Sequence, residues 1–92
     1  MEKNLKNFIN YIFKKYNEYD LYNYINGAFI DDVDNYVVGE DDNIVVDFIS
    51  DKGYEIDMNY YDNKNKYGFD KGYQLLIDEI KEMKSKVSEI IN

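Results

Sequence analysis

Residues 44–60 have the sequence IVVDFISDKGYEIDMNY, and this stretch decides which fold the sequence predicts. Apolar residues alternate with polar or acidic ones on both sides of Asp51-Lys52-Gly53. Alternation is typical of a strand with one buried face, and a three-residue loop that contains Gly is a common hairpin connection. The stretch therefore predicts a β-hairpin. Its core-facing cross-strand pairs are Ser50–Tyr54, Phe48–Ile56, Val46–Met58 and Ile44–Tyr60.

The segment before the hairpin predicts a further strand, or a bent pair of strands, over residues 28–38. It is rich in β-branched and aromatic residues, but its apolar positions do not keep one parity. An extra residue in one strand changes the parity, so a bulge is expected near Asp34-Asn35. The polar residues 40–43 then predict a turn that leads into the hairpin.

Amphipathic helices are predicted on both sides of these strands. Apolar residues recur at helical spacing from Leu5 to Tyr16, which predicts a helix over 5–18, with a continuation or restart over 21–25. Residues 62–68 are expected to form a polar loop. A second helix is predicted over 71–91, with a core stripe at Leu76, Ile80, Met83, Val87 and Ile90.

These elements predict an α+β fold for a single domain that spans residues 1–92. Its three strands form an antiparallel meander, and the N-terminal and C-terminal amphipathic helices pack on one face of that sheet. The other face of the sheet is expected to lie in water. Any binding surface is therefore expected on this outer face and on the turns that border it.

The net charge of −8 is concentrated in the middle third of the chain. Residues 31–62 hold eleven carboxylates and one Lys. In the predicted hairpin Asp47 lies opposite Asp57, and like charges across a strand pair destabilise a sheet by up to about 1 kcal/mol. Folding does not require this arrangement, so it indicates a surface that attracts a basic partner.

Several kinds of chemistry are disfavoured by the composition. The chain has no His and no Cys, so it lacks the commonest general base, the thiolate nucleophile and the ligands of zinc motifs. Its Gly residues form no phosphate-binding loop, its acids do not follow the EF-hand spacing, and no segment is basic enough to bind nucleic acid directly. We expect no enzyme activity, no catalytic residue, no cofactor and no bound metal.

The location of the protein also follows from its sequence as an expectation. No continuous apolar run is long enough for a signal peptide or a membrane span, and the absence of Cys suits a reducing compartment. We expect a cytoplasmic protein with no membrane partner, as a monomer or a homodimer.

The expected partner-binding surface combines acids of the strands and turns with two tyrosines. Tyr supplies rigid contact area with one polar end, which suits it to protein interfaces. The residues of this surface are Asp31, Asp32, Asp34, Tyr36, Glu40, Asp41, Asp42, Asp47, Glu55, Asp57 and Tyr61.

A small, acidic, Cys-free chain with the predicted order α-β-β-β-α resembles the phage-encoded anti-CRISPR inhibitors. The resemblance covers the whole chain in size, charge and element order. It implies an inhibitor that imitates DNA and occupies the DNA-binding or PAM-binding site of a CRISPR effector in the host cytoplasm.

Two alternatives remain open at this point. An immunity protein that neutralises a toxin nuclease would use the same acidic surface on another basic partner. A self-assembling interaction module would instead pair through the open edge of the predicted sheet, or through Val45 and Ile49 on its outer face.

Overall fold

The computed structural model describes residues 3–18, 27–36 and 43–91, and the regular elements in these ranges are helices. No strand occurs in the described residues, so the predicted α+β fold with its three-stranded sheet is wrong. The prediction of a helix near each end of the chain is confirmed. The helices are α1 (Lys3–Glu18), α2 (Phe29–Asp34), α3 (Asn43–Tyr67) and α4 (Phe69–Ile91).

The predicted hairpin lies inside α3, which continues without a break across Asp51-Lys52-Gly53. Ile44 and Met58, expected in the core of a sheet, are 73% and 62% exposed. Val45 and Ile49, expected on the outer face, are buried. The set of buried residues therefore differs from the hairpin's, because residues three or four apart share a helix face, whereas residues two apart share a strand face. The buried residues of α3 are Val45, Val46, Ile49, Ser50, Gly53, Ile56 and Tyr60.

Gly53 is a contact point between helices and not a turn residue. A Cβ atom at this position would lie 3.0 Å from the Phe29 ring and 3.4 Å from the Ile30 side chain. The missing side chain lets α2 approach α3 this closely without displacing the Phe29 ring. Gly within a helix costs about 1 kcal/mol relative to Ala. Complete burial of Phe29 offsets that cost, because burying a large apolar side chain contributes about 1.5–3 kcal/mol.

α3 and α4 form an antiparallel helical hairpin with Gly68 between them. Gly68 has a φ of 91°, and its N–H donates to the carbonyl of Lys64 at 3.0 Å. Gly in this left-handed conformation is a common helix terminator. A Cβ atom on Gly72 would lie 2.9 Å from the backbone of Lys64, so the two helices approach closely beside the turn. The predicted loop over 62–68 is therefore wrong, since α3 runs to Tyr67.

The short helix α2 packs against both α1 and α3. The ring centroids of Phe29 and Tyr16 lie 4.1 Å apart, and the ring of Tyr36 stacks on that of Phe8 at 3.9 Å. Within the segment predicted as a strand, residues 29–34 are helical, and α2 includes Asp34, where a bulge was expected. Each of the four described helices contributes buried apolar residues to the core. These residues are Leu5, Ile9, Ile12, Phe13, Tyr16, Phe29, Ile30, Val33, Val45, Val46, Ile49, Ile56, Tyr60, Leu76, Met83 and Val87.

The core stripe predicted for the last helix is confirmed except at its C-terminal end. Ile90, predicted in the core stripe of the last helix, is 45% exposed, whereas Leu76, Met83 and Val87 are buried as predicted. The predicted continuation over 21–25 and the turn residues 40–42 lie outside the described residues. Among the described helices, none combines the length and the apolar content that a membrane span requires.

Candidate partner-binding surface

Among the described residues, acidic side chains outnumber basic ones most strongly on α2 and on residues 43–57 of α3. These two packed segments hold seven carboxylates and one Lys. Helix dipoles favour acids only within the first turn of a helix. The five acids of α3 begin at Asp47, the fifth residue of the helix, so the dipole does not explain them. We call this surface the acidic region; its residues are Asp31, Asp32, Asp34, Asp47, Asp51, Glu55 and Asp57.

Two acids of α2 have structural roles. Lys15 of α1 donates to Asp32 at 2.8 Å, and both side chains are largely shielded from water. Ser50 and Tyr54 of α3 both donate hydrogen bonds to the carboxylate of Asp34, Tyr54 at 3.0 Å. The hydrogen bond to Asp34 raises the pKa of the Tyr54 hydroxyl. The structure therefore uses these two predicted partner-binding acids to attach α2 to its neighbours.

The remaining predicted residues near α2 divide between surface and interior. Asp31 is exposed and belongs to the acidic region. Tyr36 is partly buried, because its ring stacks on Phe8, so most of its contact area already lies within the fold. The predicted residues Glu40, Asp41 and Asp42 lie outside the described residues.

The predicted acids of α3 do not share one face. A helix turns by about 100° per residue, so Glu55 and Asp57 point about 160° apart, with Asp47 between them. Asp47 and Glu55 are exposed, whereas Asp57 is partly buried, and burial raises the pKa of its carboxyl group. The predicted repulsion between Asp47 and Asp57 across a strand pair does not occur, because the two strands do not exist.

The side chain of Glu55 has a partner on its own helix. Lys52 donates to the Glu55 carboxylate at 3.0 Å, and this hydrogen bond raises the pKa of the Lys52 ammonium group. The pair is exposed to water, where ion pairs contribute little to stability. Lys52 therefore reduces the negative charge beside Glu55 while leaving Asp47 and Asp51 on the same helix exposed.

A cleft of about 130 Å³ lies between α3 and α4. Asn59 donates to Glu79 across the two helices at 3.2 Å. Burial raises the pKa of the Glu79 carboxyl group, and the nearby charges of Glu55 and Glu82 add to this effect. Three Glu and two Lys line the cleft over an apolar floor, so it offers neither a strongly charged nor a metal-binding site. The lining residues are Lys52, Glu55, Ile56, Glu79, Glu82, Met83 and Lys86.

A ridge of large side chains on α3 includes two residues that the predicted sheet places in its core. Tyr54, Met58 and Tyr61 are 51%, 62% and 58% exposed and follow one another at intervals of four and three residues. Tyr61 had been expected on the partner-binding surface, whereas Tyr54 and Met58 had been placed in the core of the sheet. Only the helical register brings the three onto one face. We call these three residues the α3 ridge.

Comparison with known proteins leaves the geometry as the main guide to function. No family model matches the chain, and no curated protein or solved structure matches it. Within residues 3–18, 27–36 and 43–91, no group of three or more acidic side chains lies close enough together to hold a metal ion. What this part of the chain offers is an acidic region beside an exposed apolar ridge, and that combination suits protein recognition.

Proposed function

We propose that the chain is a non-enzymatic inhibitory protein whose acidic region occupies a basic, nucleic-acid-binding site on a larger cytoplasmic protein. The observation that supports this most is the exposure of Asp31, Asp47 and Asp51 within a region of seven carboxylates and one Lys. Carboxylates at this density repel one another and oppose folding. The electrostatic field of these carboxylates also attracts a basic partner and speeds its association, so binding of such a partner would explain why they are clustered.

The partner class is proposed from charge and size. A CRISPR effector is the first candidate, because the chain keeps the small size and acidity on which the resemblance to anti-CRISPR inhibitors partly rested. The third part of that resemblance, the element order α-β-β-β-α, is lost with the sheet. A toxin nuclease, neutralised by this chain as its immunity protein, is the second candidate because it also presents a basic nucleic-acid channel.

The surfaces that suggested a self-assembling module are not exposed in the described structure. Its sheet edge does not exist in the described residues, and Val45 and Ile49 are 1% and 0% exposed. A second copy of the chain would also bring two acidic regions together, and like charges juxtaposed at an interface oppose association.

Charge reversal tests the proposal. In the variant Asp47→Lys/Asp51→Lys, affinity for the partner is expected to fall at least about tenfold, because like charges across an interface cost several kcal/mol. The matched control is Asp78→Lys/Glu89→Lys on α4, which changes the net charge equally at two exposed positions. That control is expected to bind within about threefold of the natural chain.

The measurement begins with capture of partners from host-cell lysate on the tagged chain, elution in steps of rising salt, and mass spectrometry. Affinity of the purified partner for each variant is then measured at low and high salt. Release of a nucleic-acid enzyme by moderate salt, lost in Asp47→Lys/Asp51→Lys only, supports the proposal, since salt screens exposed charges. Equal capture by both charge variants, or capture of no nucleic-acid-binding protein, contradicts it.

A further inference from the structure

The α3 ridge continues a regular pattern along the exposed side of its helix. Asp47, Asp51, Tyr54, Met58 and Tyr61 are all exposed and are separated by four, three, four and three residues. This alternation is the spacing of the seam along which two helices pack in a coiled coil. The last three seam positions carry large apolar side chains and span about 10 Å of helix.

Carboxylates border the apolar part of this seam on both sides. Glu55 and Asp62 each follow a seam tyrosine directly, and Asp57 directly precedes Met58. In a coiled coil these flanking positions form ion pairs with the partner helix and determine which partner is accepted. The three flanking acids therefore call for Lys or Arg on the opposing helix.

A second copy of the chain does not meet this requirement. Paired with itself, the seam would bring its flanking acids near those of the copy and add Asp47 and Asp51 to the repulsion. The net charge of −8 on each chain acts in the same direction. A surface that imitated only the charges of nucleic acid would, in turn, not account for the exposure of Met58 and Tyr61 beside Tyr54.

We propose that the α3 ridge docks against a helix of the partner that carries an apolar stripe bordered by Lys or Arg. This inference rests on the proposed function and refines it, because it names the element of the basic partner that is bound. Apolar side chains of the partner helix pack on Tyr54, Met58 and Tyr61. Its basic side chains pair with Asp57 and Asp62, and with Glu55 in exchange for the exposed ion pair that Glu55 makes with Lys52.

The test uses two synthetic peptides of three heptads and equal composition. One has Leu at the seam positions and Lys at the flanking positions, and the other has the same residues shuffled so that no apolar stripe forms. Binding of each peptide to the intact chain is measured at low and high salt. The amphipathic peptide is expected to bind more tightly, with a part of its affinity that survives high salt, because salt weakens only the charged contacts.

Variants of exposed residues distinguish binding at the α3 ridge from nonspecific binding to exposed aromatic side chains elsewhere on the chain. Met58→Ala/Tyr61→Ala is expected to weaken binding of the amphipathic peptide at least about tenfold at both salt concentrations, as central apolar contacts dominate interface energies. The matched control is Tyr67→Ala/Phe69→Ala, whose side chains are 51% and 62% exposed but lie off the seam. The control is expected to bind within about twofold of the natural chain, and both variants should keep its melting temperature, because the removed groups are exposed.

Three results would overturn the inference. They are equal binding of the two peptides, equal loss in the two double variants, and dimerisation of the natural chain that Met58→Ala/Tyr61→Ala abolishes. Failure here remains distinguishable from failure of the proposed function. If the captured partner is lost by Asp47→Lys/Asp51→Lys but bound fully by Met58→Ala/Tyr61→Ala, the acidic region binds as proposed and the helix does not dock on the ridge.

Discussion

Ile49→Ala is expected to lower the free energy of unfolding by about 2–5 kcal/mol, whereas Ile44→Ala is expected to change it by about 0.5 kcal/mol or less. Ile49 is 0% exposed in the core between the helices, and Ile44 is 73% exposed at the start of α3. The two substitutions remove the same atoms. Their difference therefore measures burial alone, free of differences in side-chain chemistry.

Urea denaturation of the two variants, followed by circular dichroism, provides the measurement. The result also separates the helix from the hairpin that the sequence had predicted. In the hairpin Ile44 faces the core and Ile49 faces water, so the order of the two effects would be reversed. A large loss for Ile44→Ala with a small one for Ile49→Ala would contradict the helical register of α3.

Phe29→Ala is expected to lower the free energy of unfolding by about 3–5 kcal/mol. The Phe29 side chain is 0% exposed, contacts Tyr16 of α1, and lies over the position where Gly53 has no side chain. Removal of the ring leaves a cavity where three helices meet. The six-residue helix α2 has few other apolar anchors, so we expect it to detach before the rest of the molecule unfolds.

Phe69→Ala is the matched control, because Phe69 is largely exposed on α4 and its removal leaves no cavity. Its effect is expected to stay within about 0.5 kcal/mol. Hydrogen exchange of the amides of residues 29–34 reports on α2 directly and should quicken in Phe29→Ala alone. A mild effect at Phe29 would mean that α2 is not part of the core, and that its carboxylates are not held beside those of α3.

The end helices were predictable because their apolar residues follow only one period. From Leu5 to Tyr16 and from Leu76 to Val87, the helical spacing has no competing alternation. In α3 the residues support two periods at once. Ile44, Val46 and Phe48 alternate as in a strand, while Val45, Ile49 and Gly53 recur at intervals of four, as in a helix.

Gly53 favoured the incorrect prediction of a hairpin over that of a helix. Beside Asp51 and Lys52 it matches a hairpin loop, and a Gly in mid-helix disfavours a helix when no tertiary contact is known. The contact that justifies it comes from Phe29, more than twenty residues away in sequence. A contact between residues so distant in sequence cannot be inferred from local patterns, so the helix in the central third of the chain could not be predicted.

The binding surface was predictable in charge but not in arrangement. The concentration of acids in residues 31–62 depends on no particular fold, and the exposure of Asp31, Asp47 and Glu55 agrees with a surface role. The intramolecular bonds of Asp32 and Asp34 could not be anticipated, because they join α2 to residues of two other helices. The α3 ridge was missed for the same reason as α3 itself, since the strand register buries Tyr54 and Met58.

The continuity of α3 through residues 50–56 is the claim on which the acidic region and the α3 ridge both depend. Backbone chemical shifts of these residues, with the nuclear Overhauser effects between neighbouring amide protons, test it most directly. We expect helical Cα shifts and strong sequential amide contacts without interruption from Ser50 to Ile56. Extended shifts on both sides of Asp51-Lys52-Gly53, with contacts between Phe48 and Ile56 across a turn, would contradict the helix and restore the hairpin.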